Sequence, residues 1–255
     1  MVNNQVHSSQ PGTFNISAAM LHIIAMTFML MDHLWATLLP AQDWLTCVGR
    51  LAFPIFAFMA VEGYFHTHSF KKYILRLLLF AVLSEIPFDL MYAGAPFFPF
   101  HQNVIWTFLI ALFCMWIIEW VKRRGNLWLT LLAAAGMSLV GWLVGTIAMV
   151  DYYGAGVLTV LVFYLFRGGL WWQRLGQAAG MVWINCGLLA GLVLQIHVLG
   201  LTVEFPQQGF ALLALVPIWL YRGRQGYHSR WVQMACYLFY PVHILVLSGL
   251  VFCLL

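Results

Sequence analysis

Apolar stretches long enough to cross a lipid bilayer follow one another along almost the whole chain. A spanning helix needs about 20 apolar residues, and the 255-residue sequence is 63% hydrophobic and only 8% charged. Soluble domains carry about 25% charged residues, so this composition excludes a soluble globular domain, a disordered chain and a nucleic-acid-binding domain. Because lipid offers no water to satisfy free backbone groups, each stretch is expected to form a helix.

Polar residues, glycines and prolines divide the chain into about nine candidate spans of bilayer length. The candidate spans cover residues 16–39, 45–65, 73–92, 103–121, 127–149, 152–166, 178–200, 208–221 and 232–254. The sequence therefore predicts an all-α, polytopic helix bundle, with one transmembrane domain at 16–255 and a polar cytoplasmic N-terminus at 1–15. We expect a multi-pass protein of the cell membrane in contact with lipid, and self-association is left open.

The basic residues predict how this bundle is oriented. Every Lys and Arg except Arg50 falls in or beside a connection that leads from an even-numbered span to the next odd-numbered one. Cytoplasmic connections carry an excess of Lys and Arg. The pattern therefore predicts a cytoplasmic N-terminus and an outer C-terminus.

Ionisable side chains within the spans gather on the side away from the basic connections. Asp32 and His33 are adjacent in an otherwise apolar first span, where each would cost several kcal/mol to desolvate without a partner. Intramembrane charges usually mark functional sites, so we expect a function for this pair. Further polar residues on the same side form a predicted supporting cluster: Glu85, Asp89, Asn103, Asp151, Tyr152 and His243.

Helical spacing suggests how some of these groups are used. Glu85 and Asp89 are four residues apart and share one helix face, where they either serve the site or form a structural pair with Arg50. His22 and His33 are eleven residues apart, almost three full turns. Their shared face would line a path that runs inward from His33.

Two strings of residues resemble a known family. Met31-Asp32-His33, followed by Gly49-Arg50-Leu51-Ala52-Phe53-Pro54-Ile55-Phe56, is similar to the TraX family of membrane proteins, and Tyr240-Pro241-Val242-His243 adds a weaker likeness. The resemblance implies acetylation of a pilin N-terminus and a relation to membrane acyltransferases that use acyl-CoA. It also implies that Asp32 and His33 are catalytic and that Arg50 is important.

These observations predict an acetyl-CoA-dependent membrane acetyltransferase. His33 would act as a general base or, less favourably, carry the acetyl group itself. His22, Lys71, Lys72 and Arg76 would bind the donor from the cytoplasm. The acceptor is an amine or hydroxyl on a peptide N-terminus, a sugar or a lipid head group, and we expect no nucleic acid and no metal. Chains of intramembrane acids and histidines also occur in proton-coupled small-molecule transporters, which are the alternative.

Overall fold

A computed structural model describes residues 16–198, 201–227 and 229–254, and the polar tail predicted at 1–15 lies outside them. Helices dominate the described chain, as the composition predicts. The helices are α1 (Ala18–Thr37), α2 (Asp43–Gly49), α3 (Ala52–His66), α4 (Phe70–Ala93), α5 (Val104–Lys122), α6 (Leu127–Ile147), α7 (Tyr153–Leu165), α8 (Trp171–Val182), a π-helical turn (Trp183–Leu188), a 3-10 helix (Gln207–Ala214), α9 (Leu215–Leu220) and α10 (Arg230–Leu254). Two strands, β1 (Val193–Val198) and β2 (Leu201–Pro206), pair antiparallel.

Five described helices are long and apolar enough to cross a membrane. They span Ala18–Thr37, Asp43–His66 (α2 and α3 taken together), Val104–Lys122, Leu127–Ile147 and Trp231–Leu254. Tyr153–Leu165 and Gln207–Leu220 (the 3-10 helix with α9) are shorter apolar helical segments. The helical fold predicted from the sequence is confirmed for most of the chain. The predicted count of nine spans is not confirmed.

The outer surface of the bundle is apolar. On α6, only Gly141 and Gly145 are buried, whereas Trp128 is 79% exposed and Ile147 is 76% exposed. Apolar surface of this extent is not left in water by soluble monomers. The protein is therefore a membrane protein.

The prediction of one helix over 178–200 is wrong. The helical segment ends at Leu188, and β1 and β2 form a hairpin in which Gln195 faces Glu204 across the ladder. Apolar residues alternate with polar ones over 194–198 and again over 201–205, which is the period of a strand. The high overall hydropathy of this stretch conceals the alternation.

The predicted span at 45–65 divides into two helices at a joint that carries a charge. α2 ends at Gly49 and α3 begins at Ala52, so Arg50 lies at the joint. Pro54 occupies the first turn of α3, where a missing backbone N–H costs no hydrogen bond. The break places the Arg50 side chain beside α1.

Contacts between the ends of three helices define one end of the bundle. Arg167 pairs with Glu62 at 2.7 Å, and Tyr164 donates a hydrogen bond to Glu119 at 3.0 Å, so α3, α5 and α7 meet at one end. We call this the basic end, because the connections that follow these three helices carry Lys and Arg residues. Large buried side chains of the same three helices fill the core between this end and the joint at Arg50: Ile55, Leu112, Met115, Leu161 and Phe163.

Candidate functional site

Asp32 and Arg50 form an ion pair where α1 and α2 approach closely. Arg50 Nη2 lies 3.3 Å from Asp32 Oδ1 and donates to Thr46 Oγ1 at 2.6 Å, while Thr46 donates to the same Asp32 oxygen at 2.7 Å. Gly49 permits the approach, because a Cβ there would clash with the Asp32 Cβ. Asp32 therefore positions Arg50 and does not orient its neighbour His33.

A strained turn lies near Arg50 on its other side. Tyr152 belongs to this turn and lines the same pocket as Arg50, and its ring stacks on Phe53 with centroids 4.1 Å apart. Met149, Tyr152 and Tyr153 all have positive φ, at 52°, 60° and 49°. Such conformations are costly for bulky residues and cluster at functional sites.

His33 is oriented by His243. His33 Nδ1 lies 2.7 Å from His243 Nε2, and His243 Nδ1 lies 2.6 Å from the carbonyl oxygen of Phe239. A carbonyl only accepts hydrogen bonds, so His243 Nδ1 carries a proton, and in two neutral rings His33 Nδ1 then donates to His243 Nε2. This assignment leaves His33 Nε2 without a proton and able to accept one.

His33, Asp32 and Arg50 line a cavity of about 380 Å³ at the end opposite to the basic end, which we call the outer cavity. His101 and Asp151 also line it, with His101 Nε2 3.6 Å from Asp151 Oδ1. The His101 ring stacks on Tyr92 with centroids 4.5 Å apart. Acidic, imidazole and aromatic groups thus surround the space beside His33.

A second and larger cavity, of about 920 Å³, opens toward the basic end, and we call it the inner cavity. Three of the four residues predicted to bind a donor line it, namely His22, Lys72 and Arg76, whereas Lys71 is exposed and does not. The Arg76 guanidinium lies over the Tyr237 ring at 4.9 Å, and its buried Nε has no partner among the described residues.

The two cavities meet at four side chains, Met29, Phe56, Val104 and Tyr240, which line both of them. We call these four residues the partition. His33 lies on the outer side of it and His22 on the inner side. The predicted path between the two histidines therefore corresponds to two cavities with the partition between them.

Glu85 and Asp89 form no ion pair with Arg50, so the structural pair with Arg50, one of the two predicted alternatives, is wrong. Glu85 accepts hydrogen bonds from the Asn103 amide group and from Trp106 Nε1 at 3.2 Å. Asp89 accepts from the Phe98 backbone N–H at 2.9 Å. Both carboxylates hold the start of α5 and the chain before it, and neither lines the outer cavity.

Several residues beside the site were not among the predicted ones. Thr46 precedes Arg50 by four residues, so helical spacing could have placed it. Tyr240 precedes His243 by three and belongs to the same short string. Gln208 also lines the outer cavity, but only the tertiary fold brings it there.

Comparisons with known proteins agree with the predicted resemblance. The model of the family described as TraX protein matches residues 17–251. The probable fimbrial assembly protein FimC, serogroup H1, of Dichelobacter nodosus is 30% identical over 251 residues, covering 92% of this chain and 96% of the relative. Protein TraX of Escherichia coli is 28% identical over 189 residues, covering 70% of this chain and 71% of the relative. No solved structure matches the chain significantly. Because the family model covers far more than half of its residues, the chain belongs to the TraX family.

Proposed function

We propose that this protein transfers an acetyl group from cytoplasmic acetyl-CoA to an amine or hydroxyl acceptor at the outer side of the membrane. One observation carries the proposal. His33 lines the outer cavity next to the partition from an inner cavity with basic groups, and its Nδ1 is engaged by His243, an arrangement in which Nε2 can accept a proton. A base in this position can serve a donor from one side and an acceptor from the other.

The reaction needs one proton acceptor and one stabilised oxyanion. His33 Nε2 takes the proton from the acceptor nitrogen or oxygen as that atom bonds to the thioester carbonyl carbon. The carbon–sulfur bond then breaks, and the proton passes from His33 to the thiolate to give free CoA. Arg50 lines the same cavity and would stabilise the negative charge on the carbonyl oxygen. We favour this direct transfer over an acetyl-histidine intermediate.

The inner cavity suits the donor because CoA carries phosphates and a long thin arm. Arg76 and Lys72 supply positive charge on α4, and His22 faces the same space from α1. Arginine binds phosphate oxygens through a planar fork of donors. The nucleotide would therefore remain near the basic end while the thioester reaches toward His33.

We expect Arg76→Ala to raise the acetyl-CoA concentration needed for half-maximal turnover by roughly tenfold, which corresponds to one charge-assisted hydrogen bond. The effect should shrink at high salt, because screening weakens charge attraction. The release of free CoA by purified protein, measured at increasing acetyl-CoA concentrations, tests this shift. Lys71→Ala is the matched control, since Lys71 neighbours the cavity in sequence but is exposed outside it. Equal shifts in both variants would contradict this donor site.

The donor must enter from the cytoplasm, so the basic end must face it. We propose that the protein is a multi-pass protein of the cell membrane with its N-terminus inside and its C-terminus outside. A reporter that works only outside the cytoplasm should be active when fused after Leu255, and one fused before Met1 should be inactive. The reverse pattern would contradict the orientation.

The acceptor is a peptide N-terminus, a sugar or a lipid head group. The Dichelobacter nodosus relative is named as a probable fimbrial assembly protein, which supports a role in pilus assembly and a pilus subunit as the acceptor. The outer cavity supports a small reacting group, because its volume of about 380 Å³ admits a chain end and not a folded domain.

Acetyl-CoA labelled in its acetyl group tests the proposal. The purified protein should release free CoA slowly with water as the acceptor, or become labelled itself. A proton-coupled transporter would leave the thioester intact and would move a solute in vesicles. Intact acetyl-CoA after prolonged incubation, with the protein folded throughout, would overturn the proposed function.

A further inference from the structure

The partition lies one helical turn from the histidine pair on two helices. Met29 precedes His33 by four residues on α1, and Tyr240 precedes His243 by three on α10, spacings that keep each pair on one helix face. The Tyr240 and His33 ring centroids are 6.4 Å apart. A thioester whose nucleotide stays in the inner cavity therefore meets the partition before it meets His33.

We propose that the partition selects the acyl group by width, admitting unbranched acyl groups and excluding groups branched next to the carbonyl. This inference rests on the proposed function. The end of the pantetheine arm that carries the thioester is an unbranched chain, so an opening wide enough for that arm is sufficient for an unbranched acyl group. Because the carbonyl must reach His33, the acyl group has to cross the partition ahead of the sulfur.

The four partition residues differ in how easily they move. Tyr240 is only 8% exposed, and its bulky ring packs against the rings of His33 and His243, with centroids 6.4 and 6.0 Å away. Met29 is 9% exposed, but its unbranched side chain has three rotatable bonds and adapts to its surroundings. Met29 is therefore the residue that yields to a passing chain, and its size sets the width of the opening.

Butyryl-CoA and isobutyryl-CoA test this selection, because their acyl groups are isomers that differ only in branching. Water serves as the acceptor: its oxygen bonds to the acyl carbon, the carbon–sulfur bond breaks, and the thiolate takes up a proton as free CoA. We expect the wild type to hydrolyse the butyryl thioester with a kcat/KM at least about tenfold higher, since pocket fit to one methylene is worth roughly 10–200-fold. Acetyl-CoA is measured beside them.

Met29→Ala should bring the kcat/KM ratio of the two isomers close to one. Met26→Ala is the matched control, since Met26 lies one turn nearer the basic end on α1 and lines only the inner cavity, and it should keep the wild-type ratio. Phe56→Leu, on α3, provides a second widening of the partition that does not depend on how α1 packs. It should raise the relative use of the isobutyryl thioester as Met29→Ala does.

The outcomes separate this inference from the proposed function. Equal use or equal exclusion of the two isomers by the wild type would overturn selection by width, and so would an unchanged ratio in both Met29→Ala and Phe56→Leu. In each of these cases acetyl-CoA is still hydrolysed and the proposed function stands. A wild type that releases no CoA from acetyl-CoA would overturn both.

Discussion

Replacing His33 with alanine should lower acetyl transfer on the order of 10²–10⁴-fold, the usual contribution of a positioned general base. His33 is half-buried, and its side chain hydrogen-bonds one ring nitrogen of His243. The loss of one such contact should leave the fold intact. Release of free CoA by purified protein measures the rate, and the thermal unfolding midpoint measures the fold. Glu204→Gln, on the exposed surface of β2, should leave both values near those of the wild type.

Variants of His243 test whether this residue is the base or the residue that orients the base. His243→Ala should cost less than His33→Ala, because it frees the tautomer of His33 but leaves the ring in place. His243→Gln should recover part of the loss, because an amide oxygen can accept the proton of His33 Nδ1. Near-normal turnover in His33→Ala, together with complete loss in His243→Ala, would instead make His243 the base and contradict the mechanism.

Residues close together in the sequence were the ones that sequence reasoning could assign. Asp32, His33 and Arg50 lie within one short helical hairpin, and the structure brings Asp32 and Arg50 into an ion pair at 3.3 Å. The chain cannot separate these groups widely, because a helix end and a short connection join them. Local spacing and the family motif were therefore sufficient to predict that they lie close together, as they do around the outer cavity; their catalytic roles stay a prediction.

The partners of these residues depend on how distant helices pack, and no local pattern specifies that. His33 and His243 are 210 positions apart and meet only because α10 packs against α1. Glu85 and Asp89 share a helix face, yet Asn103 and Phe98 bind them from the chain before α5. Long-range packing decided both outcomes, and an apolar sequence suits many packings equally well.

The hairpin formed by β1 and β2 was not predicted, although the alternating pattern typical of strands is present in the sequence. Gln195 and Glu204 interrupt apolar neighbours at the period of a strand, and they face each other in the ladder. An averaged hydropathy over 178–200 hides Gln195 and His197 among many apolar residues. The alternation of apolar and polar residues, given more weight than averaged hydropathy, predicts that the span at 178–200 ends before β1.

Replacing Arg50 with alanine should lower turnover roughly 10²–10³-fold, which is the usual cost of losing a donor to a developing oxyanion. Arg50 has Asp32 and Thr46 as partners, and its buried Nε has none among the described residues. These contacts fix the guanidinium beside the cavity that His33 lines. Arg50→Lys should recover only part of the rate, because lysine keeps the charge and loses the planar fork of donors.

A double-mutant cycle with Asp32 tests whether the carboxylate acts through Arg50. Asp32→Asn alone should slow turnover strongly, because Arg50 loses its ionic partner. In an Arg50→Ala background the same change should have little further effect, since residues that act as a unit are not additive. Arg123→Ala, an exposed arginine that caps α5 at the basic end, is the matched control and should be neutral. Fully additive losses for Asp32 and Arg50 would mean that Asp32 contacts the reacting groups itself.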